Sequence, residues 1–130
     1  MEAELTDLEC MALNIYHESR GESLLGRQMV AQVTMNRTRH RGFGSTVCET
    51  VRQHRQFSWT HDGRVDHPTD RKAYELAYLI AISFVELGYQ ADAPYANVIL
   101  NYHSVNVSPE WDELTPVALI DSHLFYVRGK

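Results

Sequence analysis

A chain of 130 residues with 44% hydrophobic and 22% charged side chains is long enough for one domain with a packed core, and its composition fits neither a disordered segment nor a membrane protein. Its formal net charge of −5 argues against a general polyanion binder, because nucleic-acid domains concentrate positive charge for phosphates. The longest apolar run, Ala77 to Val85, is broken by Ser83 and is too short to span a bilayer.

The first segment, MEAELTDLEC, carries acidic residues where a secretory signal needs a basic and then an apolar stretch. Thr6-Asp7-Leu8-Glu9 reads as a capping box, so a helix is expected to begin there. Leu8, Met11, Ala12, Ile15 and Tyr16 follow helical spacing, and the helix is expected to end near Gly21. Glu18 then falls in its last turn, where the helix dipole disfavours an anion. Ser23 caps a second helix running to about Arg39, with Leu24, Val30, Val33 and Thr34 as its inner stripe. Gly26 weakens that helix slightly, which matters little if close packing needs a small residue there. The basic cluster Arg37 to Arg41 reads as a solvated helix end.

A third helix fits Thr46 to Gln53, opened by a second capping box at Thr46 and Glu49. Phe57 to Pro68 mixes aromatics, glycine, aspartates and histidines without periodicity and reads as a surface loop. Thr69 or Asp70 begins a long helix to Leu87, with Gly88 placed for a left-handed cap. Its expected core face is Ala73, Leu76, Ala77, Ile80, Ala81, Phe84 and Val85. Asn97 to His103, Val117 to Asp121 and His123 to Val127 are short and β-rich, consistent with a small antiparallel sheet toward the C-terminus. The fold class is α+β, mainly helical, with residues 1–130 as a single domain.

Several chemistries find no support in the pattern. Seven histidines invite a metal, and His61-Asp62, Asp66-His67 and Asp70 cluster in one stretch, but no H-E-x-x-H occurs and no close pair has a third ligand at familiar spacing. His17 and Glu18 are helix neighbours about 100° apart, poorly placed to ligate together. Neither metal nor cofactor is expected. There is no G-x-S-x-G, and GFGS at Gly42 to Ser45 lacks the third glycine and the lysine of phosphate loops. Cys10 and Cys48 lie in no C-x-x-C pair; two buried thiols are favoured over one disulfide. Glu18 and Glu22, spaced i, i+4, would share a helix face if Gly21 did not interrupt it. Taken locally, Glu18 reads as part of a surface ion-pair set with Arg20.

The longer pattern changes that reading. YHESRGESLLGRQMVAQVTMNR resembles the signature of the SleB-like cell-wall hydrolases, in which an E-A-R-G-E core precedes a G-Q-x-x-V-A-x-V-x-x-N-R helix. TVCETVRQHRQFSW at Thr46 to Trp59 resembles the family's next block, and NYHSVNVSPEW with IDSHLFYV resembles its closing strands. The ordered match covers nearly the whole chain. It implies a lysozyme-like fold and cleavage of the β-1,4 bond between N-acetylmuramic acid and N-acetylglucosamine in bacterial peptidoglycan, with Glu18 as the acid. Ser19 and His17 depart from the more usual alanine and glycine without altering the reacting carboxyl.

The resemblance further implies a lytic transglycosylase, in which the same glutamate gives a proton and then helps the muramic C6 hydroxyl close a 1,6-anhydro ring. A hydrolysing muramidase is the alternative; it would need a water and usually a second carboxylate, with Glu22 nearest and Asp62 or Asp66 as outsiders. Glu22 is expected to be supporting, paired with Arg20, Arg27 or a backbone amide. An inactive peptidoglycan-binding module is the alternative of another class. Phe57, Trp59, Asn101, Tyr102 and His103 are the candidates for sugar binding, while Trp111 and His123 are as readily explained by packing and a buried hydrogen bond. The expected partner is peptidoglycan, with no nucleic acid and no membrane insertion, acting as a monomer. The expected setting is that of a phage endolysin, held in the host cytoplasm before release onto the wall of the periplasm.

Overall fold

The computed structural model describes residues 4–55, 60–61, 64–65 and 67–128, with side chains described for 4–53 and 67–128. Helix α1 spans Asp7–Ser19. Its N-terminus is closed by the predicted box: Thr6 Oγ1 accepts from the Glu9 amide at 3.1 Å, and Glu9 Oε1 accepts from the Thr6 amide at 2.8 Å. Every residue from Cys10 to Tyr16 is buried, more than the one-sided stripe the spacing predicts, because α1 is the central helix and packs against three others. Those are α2 (Leu24–Thr38), α3 (Val47–Arg55) and α4 (Arg71–Val85).

Ser23 caps α2 as expected, its Oγ accepting from the Gly26 amide at 3.1 Å. Asp70 caps α4, accepting from the Ala73 amide at 3.1 Å. Gly88 follows α4 with φ +70°, the left-handed conformation that glycine adopts without a Cβ penalty. Two predicted core positions are corrected: Leu24 is 56% and Leu76 46% exposed. Each lies on the edge of its apolar arc, and the neighbouring helices cover only the centre, at Val30, Val33, Ala77 and Ala81.

Cys10 and Cys48 form a disulfide, not the pair of buried thiols expected, with Cα atoms 5.2 Å apart across a sequence separation of 38. The bond joins the first turns of α1 and α3. Beside it the Cys48 amide donates to Asp7 Oδ1 at 3.2 Å, placing a carboxylate on the positive end of α3. The stretch read as a surface loop holds a short antiparallel hairpin, β1 (Thr60–His61) with β2 (Arg64–Val65). Two-residue strands leave too few positions for alternation to be visible in a sequence.

The C-terminal sheet is antiparallel in the order β3-β5-β4, with β3 at Asn101–Ser104, β4 at Leu114–Ile120 and β5 at His123–Arg128. Residues Ala96–Val98 form a 3-10 turn, so the first predicted strand begins later than its composition suggested. Strand β4 begins earlier, at Leu114, and tolerates Pro116 because it is an edge strand; the register shifts between Pro116 and Ala118. Phe125, on the central strand, is fully buried and belongs to the same core as Met11, Ile15, Met29, Val33, Phe84 and Ile99. The sheet is thereby fastened to the helices, and the seam between them carries a cleft.

Candidate active site

Glu18 occupies the last turn of α1, at the point where the helix meets the sheet. Tyr102, on β3, is 7% exposed, and its hydroxyl donates to Glu18 Oε1 at 2.9 Å. Both residues line a cleft of about 720 Å³ together with His17, Phe43, Asn101, His103, Trp111 and His123, among others. That size is within the range of small-molecule and oligosaccharide sites. Glu18 is the one carboxylate among the described residues that line it.

The wall opposite the helix end is aromatic. His103 Nδ1 lies 2.6 Å from the Ser104 carbonyl and its Nε2 lies 2.8 Å from the Tyr126 hydroxyl. A carbonyl only accepts, so Nδ1 carries a proton, and in the neutral imidazole Nε2 accepts from the tyrosine hydroxyl. Trp111 packs edge-on to both His103 and Tyr126, with ring centroids 5.3 and 5.2 Å away. The hydrogen bonds hold the imidazole plane, and the indole presents a broad apolar face beside it.

Arg37 corrects the reading of a solvated basic cluster. It is 5% exposed, its Nε donates to the Leu100 carbonyl at 2.8 Å, and its guanidinium lies 5.2 Å from the Phe43 ring centroid. Arg39, His40 and Arg41 are exposed, as expected. On the same helix Asn36, adjacent to Arg37, donates through Nδ2 to the Ala96 and Ile99 carbonyls, each at 2.8 Å, while Gln32, one turn earlier, accepts through Oε1 from the Ala91 amide at 2.7 Å. This polar stripe of α2 fixes the irregular chain that leads into β3, and so places Asn101, Tyr102 and His103.

Glu22 lies away from the cleft lining. Helix α1 ends at Ser19, so Glu22 does not continue the face that carries Glu18. Its Oε1 accepts from the Ser122 amide at 3.1 Å and its Oε2 from the Ser122 hydroxyl at 2.8 Å. His123 Nδ1 lies 3.3 Å from Glu22 Oε1, an ion-pair distance without the alignment of a hydrogen bond. The contact with a backbone amide was among the pairings expected for Glu22; the partner, on the far hairpin, was not.

Of the predicted sugar contacts, the structure brings Asn101, Tyr102 and His103 to the cleft. Phe57, Trp59, Asp62 and Asp66 lie outside the described residues. Phe43, Thr50 and Gln53 line the cleft and were missed. Nothing in their local pattern marks them, since the loop after α2 and helix α3 are brought to the cleft only by the tertiary fold. Among the described residues no group of histidines, cysteines and carboxylates is arranged to hold a metal ion, and no helix is long and apolar enough to cross a membrane.

Comparison with known proteins agrees with this architecture. The cell wall hydrolase family model matches residues 21–126, a span that opens after Glu18. The spore cortex-lytic enzyme of Bacillus cereus is 30% identical over 120 residues, covering 92% of this chain; the chain spans 43% of that relative's length. The crystal structure of the catalytic domain of the Bacillus cereus SleB protein superposes with a TM-score of 0.69 at 28% identity, covering 97% of this chain and 94% of that one. The catalytic domain of the germination-specific lytic transglycosylase SleB from Bacillus anthracis gives 0.70 at 28% identity, covering 97% and 99%. Both structural matches include the region of Glu18.

Proposed function

The chain belongs to the cell wall hydrolase family, and from that premise we propose that it cuts peptidoglycan glycan strands at the N-acetylmuramic acid to N-acetylglucosamine β-1,4 bond as a lytic transglycosylase, with Glu18 as acid and then base. The observation that carries the reading is a single carboxylate, Glu18, among the described residues lining a sugar-sized cleft. A hydrolysing mechanism usually calls for two carboxylates on the scissile bond. An intramolecular one needs only the first.

The proposed reaction balances without water. Glu18 protonates the glycosidic oxygen as the bond to C1 breaks and positive charge grows on the muramic ring. The resulting carboxylate takes the proton of the C6 hydroxyl while O6 bonds to C1, closing the 1,6-anhydro ring and restoring the acid. Tyr102 supports both halves, its hydroxyl holding Oε1 in place and giving a donor to the carboxylate left after the first transfer. Trp111, Phe43 and the His103 to Tyr126 pair offer flat faces and polar edges for the sugars.

The test is digestion of purified peptidoglycan followed by mass spectrometry. The wild-type chain is expected to release muropeptides with anhydro-muramic ends, lighter than hydrolysed ends by one water. Glu18→Gln is expected to lower turnover by at least about 10²-fold, the lower range for loss of a general acid, with the unfolding transition unchanged. Reducing ends alone would select the hydrolase, and an undiminished rate for Glu18→Gln would refute the acid.

A further inference from the structure

The segment leaving α1 is fastened to the β4–β5 turn at consecutive residues. Glu22 takes two hydrogen bonds from Ser122 and faces His123 at 3.3 Å. One residue on, the Ser23 amide and hydroxyl both donate to Asp121 Oδ2, at 2.8 and 2.6 Å. The approach is so close that a Cβ on Gly26 would lie 2.6 Å from the same oxygen. Helix end and hairpin turn are therefore locked in one register.

The turn continues directly into the strand that supports Tyr102. In β5, His123 is paired with Ser104 and Phe125 with Tyr102. The His123 ring stands edge-on to the Tyr102 ring with centroids 5.3 Å apart, and the Phe125 ring lies tilted against the same Tyr102 ring at 5.4 Å. Tyr102 then returns to α1 through its bond to Glu18. The path from Glu18 along the chain to Glu22, across to Ser122 and His123, through Tyr102 and back to Glu18 is closed.

We infer that Glu22 is a positioning residue, whose carboxylate holds the β4–β5 turn against the end of α1 and so keeps the Tyr102 hydroxyl on Glu18. The inference rests on Glu18 being the acid, as proposed above. It differs from assigning Glu22 as the second carboxylate of a hydrolase, since both Glu22 oxygens are engaged by Ser122 and the residue does not line the cleft. A carboxylate suits the place because it accepts from an amide and a hydroxyl at once while facing an imidazole. Glutamine keeps an acceptor for the Ser122 amide but loses the charge; alanine loses both.

The experiment is a double-mutant cycle on soluble peptidoglycan fragments, with kcat and KM measured separately for Glu22→Ala, Glu22→Gln, Tyr102→Phe and the Glu22→Ala, Tyr102→Phe pair. A misplaced general acid loses turnover and not substrate affinity, so kcat is expected to fall about tenfold to a hundredfold in both single alanine and phenylalanine variants, with KM nearly constant. Because both act through the same hydroxyl, the double variant is expected to be no slower than the worse single one. Glu22→Gln is expected to lie between Glu22→Ala and the wild-type chain. Losses that multiply, a loss carried in KM, or an unchanged kcat in a folded Glu22→Ala chain would overturn the inference. Should Glu22→Ala not fold, Ser122→Ala removes the hydroxyl partner alone and takes its place in the cycle, read by the same criteria. Full activity of Glu18→Gln would instead remove the proposed function, which separates the two failures.

Discussion

Asp121 adopts φ +54°, a backbone conformation that aspartate tolerates better than most residues, at the first position of the two-residue turn joining β4 to β5. Its carboxyl is held below the usual carboxylate range by hydrogen bonds from the Ser23 hydroxyl and amide, against a small opposing effect of burial. A depressed folded-state value means that the ionised group stabilises the fold above the unfolded carboxyl value near 3.8, and that this contribution is lost as pH falls through the folded value. The side chain is exposed, so the contribution is modest and screened by salt. Asp121→Asn is therefore expected to lower the urea midpoint at pH 7 and to leave a smaller difference from the wild-type chain at pH 2.5. An equal gap at both pH values would show that the charge of Asp121 plays no part. Glu49 belongs to the same acid-labile class, depressed chiefly by the Ser45 amide at the start of α3.

At the scale of elements, what could be read from sequence was what short-range chemistry decides. The caps at Thr6, Ser23 and Asp70, the Thr46 and Glu49 box, and the left-handed Gly88 all act within four residues of the chain, and each stands where its pattern places it. Contacts across the chain were not legible in this way. The Cys10–Cys48 bridge depends on how α3 lies against α1, which spacing does not encode, and Arg37 looks like any helix-end arginine until the chain at Leu100, just before β3, covers it. Glu18 itself was indistinct locally and was singled out only by resemblance over the whole chain; its bond to Tyr102, 84 residues away, could not be read at all. The bridge gives a direct test at this scale. Closing a loop of 38 residues removes unfolded-state entropy worth roughly 4 kcal/mol. Cys48→Ala is expected to lower the unfolding free energy by about that amount, and added reductant to have no further effect on the variant. A loss under about 1 kcal/mol would indicate that the bridge constrains the unfolded chain very little.

Across the molecule, a helical body and a three-stranded sheet meet at the cleft, and the chain between them, from Gly88 to Leu100, has little regular structure to satisfy its buried backbone. Helix α2 supplies the missing donors and acceptors from its side chains. Asn36 is the centre of that arrangement: it donates to the Ala96 and Ile99 carbonyls and accepts from Gln32 Nε2 at 3.0 Å, while 5% exposed. Buried carbonyls that lose their donors cost about 1–3 kcal/mol each, less whatever relaxation or entering water recovers. Asn36→Ala is accordingly expected to destabilise the fold by roughly 2–4 kcal/mol in urea unfolding. Asn36→Asp is the sharper variant, because it keeps the shape and the acceptor but turns a donor pair into an oxygen facing two carbonyls. Its loss at pH 7 should equal or exceed that of alanine. The same change should slow the proposed cleavage of peptidoglycan at temperatures well below unfolding, since the strand carrying Asn101 and Tyr102 begins directly after Leu100, whose carbonyl is held by the adjacent Arg37. A folded Asn36→Asp chain with wild-type turnover would mean that the sheet places Tyr102 on Glu18 without help from α2.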